Sequence, residues 1–192
     1  MIKNLSENIT DYFYLNNIIN KEEKELYIYG LHLIISSIIG ITIILTLGLI
    51  FNIFSNTFLF LISFISIRMY SGGYHAKSYI KCNITLITIY LIMFLIVNYT
   101  PTELICLSSI LLSIITVFII LKFAPTDNKN KKLTPERKKT NKNITLIILT
   151  IFYVLGLTIY KFNMQSFYTI VVTMFMVAIL ILVKVKGGEN YE

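Results

Sequence analysis

Between Arg68 and Cys82 the chain reads RMYSGGYHAKSYIKC, bringing a Gly-Gly pair, a histidine and a cysteine into fifteen residues. Cysteine with histidine is the minimal pair for nucleophilic attack on an amide. The imidazole takes or balances the thiol proton, and the thiolate attacks the carbonyl. On one continuous helix, His75 and Cys82 would share a face but stand about 10 Å apart along the axis, too far for a hydrogen bond. They meet only if His75 sits in a turn that folds back toward Cys82, and Gly72 and Gly73 permit such a turn. Arg68, Lys77 and Lys81 would favour the thiolate or meet an anionic substrate segment. No acidic residue lies within the stretch to orient the imidazole, which leaves a backbone carbonyl, Ser71, Ser78 or a distant group. The plain alternative is a cysteine that packs as a small hydrophobe and a histidine at an interface.

The elements that must position this stretch are membrane helices. Of 192 residues, 56% are hydrophobic and 14% charged, more apolar than a soluble domain. The length suits one membrane domain: an all-α, polytopic integral membrane bundle of about six spanning helices. An N-terminal interfacial amphipathic segment over residues 1–28 precedes a bundle over 29–185. In that segment Ile2, Leu5, Ile9, Tyr12 and Phe13 recur at helical spacing opposite Lys3, Glu7, Asn8 and Asp11. Lys3 is balanced by Glu7 and Asp11, so docking against the bundle stands beside lying on lipid. The expected spans are Leu31–Phe51, Thr57–Ile67, a segment from Tyr79 or Ile84 to Tyr99, Leu104–Leu121, Ile144–Tyr160 and Ser166–Val183. Thr57–Ile67 is short and must recruit Asn52–Asn56 or continue past Arg68. No basic n-region leads directly into a short apolar core and cleavage site, so the first span is expected to remain in the mature protein.

Charge sets the expected topology. If all six segments span, every one of the 17 basic residues except Lys161 falls on one side of the membrane, which the positive-inside tendency makes cytoplasmic. Both termini, the 68–82 loop and the basic loop 122–143 should then share that side. The two cysteines, Cys82 and Cys106, form neither a CxxC pair nor a zinc pattern. No cofactor, metal or nucleic-acid partner is expected.

The pattern Arg68-x3-Gly72-Gly73-x-His75-Ala76-x5-Cys82 resembles the signature of the AgrB family, membrane endopeptidases that process autoinducer propeptides in Gram-positive quorum sensing. Phe123-Ala124-Pro125-Thr126-Asp127 and the lysine-rich stretch after it resemble that family's Ala-Pro-x-Asp element and basic loop. The resemblance covers nearly the whole chain. It implies His75 as base and Cys82 as nucleophile, acting on a small AgrD-like propeptide. It implies release of the C-terminal tail, a Cys82 acyl-enzyme thioester, and ring closure to a thiolactone or lactone. It also implies a homodimer in the bacterial cytoplasmic membrane.

Around that pair, Arg68, Gly72, Gly73, Lys77 and Ser78 are candidate supporting residues. Lys129, Lys131 and Lys132 are candidates for attracting an acidic propeptide tail; their plain role is to hold a loop in the cytoplasm near anionic lipid. Arg68 could bind a substrate carboxylate or assist an oxyanion, or simply snorkel to anchor a short span. Asp127 reads as a cap or ion-pair partner. Cys106 reads as packing, His32 as interfacial structure, and Tyr27, Tyr29 and Tyr99 as an aromatic belt. Ser36, Ser37 and Gly40 would let helices approach, within the chain or between protomers. A small peptide transporter and a non-catalytic scaffold are the competing functions. The transporter is weakened because the apolar segments hold no acidic residue and no matching pair of broken helices.

Overall fold

The computed structural model describes residues 2–73, 79–126 and 133–188. Every regular element among them is helical: α1 (Ile2–Leu15), a 3-10 turn at Lys21–Glu23, α2 (Lys24–Ile50), α3 (Phe54–Ser71), α4 (Tyr79–Tyr99), α5 (Thr102–Phe123), α6 (Pro135–Tyr160) and α7 (Met164–Gly188). Five of them, α2 and α4 to α7, are long and apolar enough to cross a membrane. Helix α3 has 18 residues, about 27 Å of rise. It begins inside the Asn52–Asn56 stretch and runs past Arg68, so both extensions that the short apolar run needed are present. The chain is a multi-pass, all-α membrane bundle.

Turn chemistry fixes how neighbouring helices pair. Between α2 and α3 the chain reverses in three residues, with Asn52 at φ 56°, a conformation asparagine tolerates better than most side chains. Pro101 separates α4 from α5, and Lys161 to Asn163 separate α6 from α7. There Asn163 caps α7, its Oδ1 accepting from the Ser166 N–H at 3.0 Å. The short connections make α2 with α3 and α6 with α7 packed antiparallel pairs, whereas α4 packs on α2 and α7, and α5 on α7.

Helix α7 is the centre. It packs against α3, α4, α5 and α6, burying Tyr168, Ile170, Val171, Val172, Met174, Val177 and Ile181. The buried hydroxyls of Thr169 and Thr173 donate to the carbonyls of Gln165 and Thr169 one turn back, which satisfies them where water is absent. The surrounding helices turn large apolar side chains outward, including Ile34 and Ile38 on α2, Ile110, Ile114 and Phe118 on α5, and Ile151 and Leu157 on α6. That outward surface suits lipid.

Small residues let the outer helices approach closely. A Cβ at Gly48 would lie 2.7 Å from the Cβ of Thr57 on α3, and one at Gly40 would lie 2.9 Å from Asn83 Oδ1 on α4. The expected approach at Ser36 and Gly40 is therefore made within the chain. Ser37 is exposed and donates to its own helix at Leu33.

Three sequence expectations are corrected. The N-terminal amphipathic helix ends at Leu15 rather than near residue 28, and residues from Lys24 onward already belong to α2. It docks on α2 through the Asp11–Lys24 ion pair and the edge-on contact of Phe13 with Tyr27. The basic stretch is not loop as far as residue 143. Helix α6 starts at Pro135, with Thr134 as a cap accepting from the Arg137 N–H and Glu136 in the first turn; lysine and arginine are good helix formers, so a charge run does not end a helix. Cys106 is exposed on the outer face of α5 rather than packed inside the bundle.

Candidate active site

The site is assembled where α3, α4, α5 and α7 reach one end of the bundle. Phe60 of α3 meets Tyr90 of α4 edge-on, with ring centroids 5.3 Å apart, and Thr57 Oγ1 lies 2.7 Å from the Tyr90 hydroxyl. From that crossing Arg68 is eight residues onward along α3, and Cys82 eight residues back along α4. Each displacement is about 12 Å, so antiparallel helices bring Arg68 and Cys82 to one height. Arg68 lies over the ring of Phe64, 5.3 Å from its centroid, which turns it along the protein instead of straight out to solvent. Cys82 is half-buried, the fourth residue of α4.

The residue after the cysteine fixes the helix start from the other side. Asn83 Nδ2 donates to both the carbonyl and the hydroxyl of Ser36 on α2, each at 3.2 Å. The bare Cα of Gly40, one turn further along α2, makes the room for this amide. The first turn of α4 is thereby held between α2, through Asn83, and the Arg68 end of α3.

Helix α3 stops at the Gly-Gly pair. Gly72 has φ +73° and Gly73 φ +124°, conformations that L side chains rarely adopt. The Ala124–Pro125–Thr126 segment that ends α5 then runs directly onto this turn. The Thr126 N–H donates to the Ser71 carbonyl at 3.1 Å, and the Gly73 N–H donates to Thr126 Oγ1 at 2.8 Å. A Cβ at Gly72 would lie 2.6 Å from Thr126 Oγ1 and 2.9 Å from the Thr126 carbonyl oxygen. Gly73 is buried and faces Leu180 of α7, whose Cβ would lie 3.5 Å from a Cβ at this glycine. On the far flank, Lys142 Nζ of α6 donates to the Leu121 carbonyl at the end of α5, at 2.8 Å.

Of the residues singled out from sequence, the structure brings together Arg68, Gly72, Gly73 and Cys82, with Lys81 exposed beside the cysteine. His75, Lys77 and Ser78 lie outside the described residues, as do Asp127, Lys129, Lys131 and Lys132. Sequence reasoning missed Asn83 and Thr126, and it read Ser36 only as a small residue for helix approach and Ser71 only as a group to orient the imidazole. Thr126 stood inside the second motif as its variable position, and Asn83 was an amide at the mouth of an apolar span, which is itself a signal of a buried partner. Among the described residues no group of three His, Cys, Asp or Glu side chains is gathered to hold a metal ion.

The family model of accessory gene regulator B (AgrB) matches residues 6–181 of this chain. The chain belongs to the AgrB family. Similar AgrB relatives include putative AgrB-like protein 2 of Clostridium perfringens strain 13, 36% identical over 158 residues that cover 79% of this chain and 74% of the relative. A putative AgrB-like protein of Clostridium beijerinckii is 33% identical over 192 residues, 97% of this chain and 92% of its own. Accessory gene regulator protein B of Staphylococcus aureus strain MRSA252 is 30% identical over 129 residues, 67% of each chain. No solved structure matches. The AgrB match spans α3, α4 and α5 and most of α7, and both sequence elements, the Gly-Gly/Cys stretch and the Ala-Pro segment, fall inside it.

Proposed function

We propose that this AgrB family member is a membrane cysteine endopeptidase and peptide cyclase acting on a short quorum-sensing propeptide. The observation that carries the reading is the placement of Cys82 at the start of α4, at the height of Arg68 on α3, whose helix ends in a Gly-Gly turn that leads in two residues to His75. Cys82 Sγ attacks the scissile carbonyl while its proton passes to the imidazole of His75. As the tetrahedral intermediate collapses, that proton goes to the leaving amine, the C–N bond breaks and the C-terminal tail departs. The N-terminal part stays on Cys82 as a thioester. A cysteine thiol or serine hydroxyl within the same peptide then attacks the acyl carbon, closes the ring and returns the proton and the free thiol to Cys82.

The energetics suit a site at a membrane boundary. Thioester exchange with a substrate thiol is close to isoenergetic, so ring closure competes with hydrolysis mainly through access, and limited water favours the ring. Forming a thioester from an amide is uphill, and departure of the cleaved tail draws the reaction forward. Arg68 would stabilise the developing oxyanion or hold a substrate carboxylate. Lys129, Lys131 and Lys132 would attract an acidic tail. The site and both termini would face the cytoplasm of a bacterial cell, since with six alternating spans every basic residue of the sequence except Lys161 falls on one side.

Co-expression with the propeptide encoded by a neighbouring short reading frame tests this. Wild type should yield a cyclised peptide shortened at its C-terminus, and Cys82→Ser and His75→Ala should leave the propeptide intact while inserting normally. Processing that survives Cys82→Ser would end the proposal and return weight to a transport or scaffold role.

A further inference from the structure

We propose that Thr126 is a positioning residue for the reaction, acting through the Gly-Gly turn; the inference rests on the His75–Cys82 reading above. The two motifs are 53 positions apart in the chain at their bonded residues, yet they form one interlock. Thr126 gives its N–H to Ser71, takes the N–H of Gly73 on its hydroxyl, and occupies the volume that a Cβ on Gly72 would fill. Each part has a separate physical reason. Gly72 must lack a side chain to admit Thr126. Gly73 must turn its N–H toward the strap. Ser71, fully buried, must direct its carbonyl past the end of α3.

The consequence reaches the chemistry by connectivity. Gly73 is buried and is held by the Thr126 hydroxyl, with Leu180 of α7 across a space that a methyl would fill. Two residues later comes His75. A peptide plane clamped at Gly73 sets the direction in which the chain leaves α3, and so the starting point from which the imidazole must approach Cys82. Catalytic geometry tolerates errors of only about 0.5 Å, and an unclamped turn with two glycines has more freedom than that. On its other side Thr126 continues directly into Asp127 and the lysine-rich stretch. The strap therefore lies between the residues that would bind the tail and the turn before the base, and its hydroxyl matters to turnover more than to capture.

The test uses full-length protein in detergent or nanodiscs, with the synthetic propeptide of the neighbouring reading frame as substrate. Thr126→Val keeps the shape and removes the acceptor; Thr126→Ser keeps the acceptor. Thr126→Val is expected to lower kcat about tenfold with KM within about twofold, because one hydrogen bond to a buried N–H is lost. Thr126→Ser is expected to stay within about twofold of wild type. If Thr126→Val does not insert, Thr126→Ala, which removes the hydroxyl without adding volume, is read in the same way. A wild-type kcat in Thr126→Val, a fall that lies in KM, or Thr126→Ser as impaired as Thr126→Val would overturn the inference. Failure of the catalytic reading is seen separately, as processing that persists in Cys82→Ser or His75→Ala.

Discussion

The interlock of Asn83 with Ser36 and Gly40 gives a sharp test of how the nucleophile's helix is held. In Asn83→Ala both hydrogen bonds to Ser36 disappear, and an interhelical hydrogen bond of this kind contributes about 1 kcal/mol in a membrane protein. In Gly40→Ala the new Cβ lies 2.9 Å from Asn83 Oδ1 and 3.4 Å from its Cγ. The amide must move by about half an ångström, which stretches donor distances of 3.2 Å beyond useful range. Overpacking and the lost bonds together cost about 2 kcal/mol, offset by about 1 kcal/mol of helix propensity gained on replacing glycine. With Asn83 already trimmed, the nearest remaining neighbour is Leu86 Cδ2 at 3.5 Å, an ordinary contact. Gly40→Ala in the Asn83→Ala background should then be neutral or stabilising by about 1 kcal/mol. The two substitutions should couple by about 1–2 kcal/mol. Unfolding in mixed micelles by far-UV circular dichroism, for wild type, both single variants and the double variant, measures this. Additivity within about 0.3 kcal/mol would show that Gly40 is not the socket for Asn83 and would refute the argument.

Two further perturbations read other joints. Thr57→Val should destabilise the bundle by about 1–3 kcal/mol, because the fully buried Tyr90 hydroxyl loses its partner. Tyr90→Phe should cost about 1 kcal/mol or less, since the Thr57 hydroxyl still donates to the Ile53 carbonyl; the opposite order in mixed-micelle unfolding would contradict the bonding. Gly72→Ala introduces a side chain at φ +73° against Thr126 and should cut propeptide processing about a hundredfold or more while the protein still inserts, from backbone strain of about 1–3 kcal/mol and displacement of the strap. Processing within about threefold of wild type would mean that the turn tolerates a Cβ.

Much of this was legible in the chain because a bilayer enforces it. Long apolar runs had to be helices and Pro101 had to fall in a turn, whereas the turn before α7 lies at Lys161–Asn163 and the polar Gln165 and Ser166 already belong to the helix. Gly72-Gly73 had to break a helix, and it does so at positive φ. What stayed hidden was tertiary pairing. Nothing local links Thr126 to Gly73 or Asn83 to Ser36; those partners are 53 and 47 residues apart and meet only once α7 has organised the outer helices around it. The start of α6 was misread because hydropathy locates the apolar part of a helix, whereas Pro135, Glu136 and the cap at Thr134 locate its beginning. Cys106 was read inward because cysteine is usually buried, but in lipid an exposed face is as apolar as a core, so residue type does not tell the two apart. Arg68 reads as either anchor or catalytic support, and its position over Phe64 suits both.

The most direct test of the central claim is the intact mass of the purified protein after brief exposure to the propeptide, for wild type, Cys82→Ser, His75→Ala and Cys106→Ser. The account predicts an adduct equal to the N-terminal part of the peptide, released by hydroxylamine, present in wild type and Cys106→Ser and missing from Cys82→Ser and His75→Ala. A processed peptide with no adduct on Cys82 under single-turnover conditions, or an adduct that survives Cys82→Ser, would contradict it.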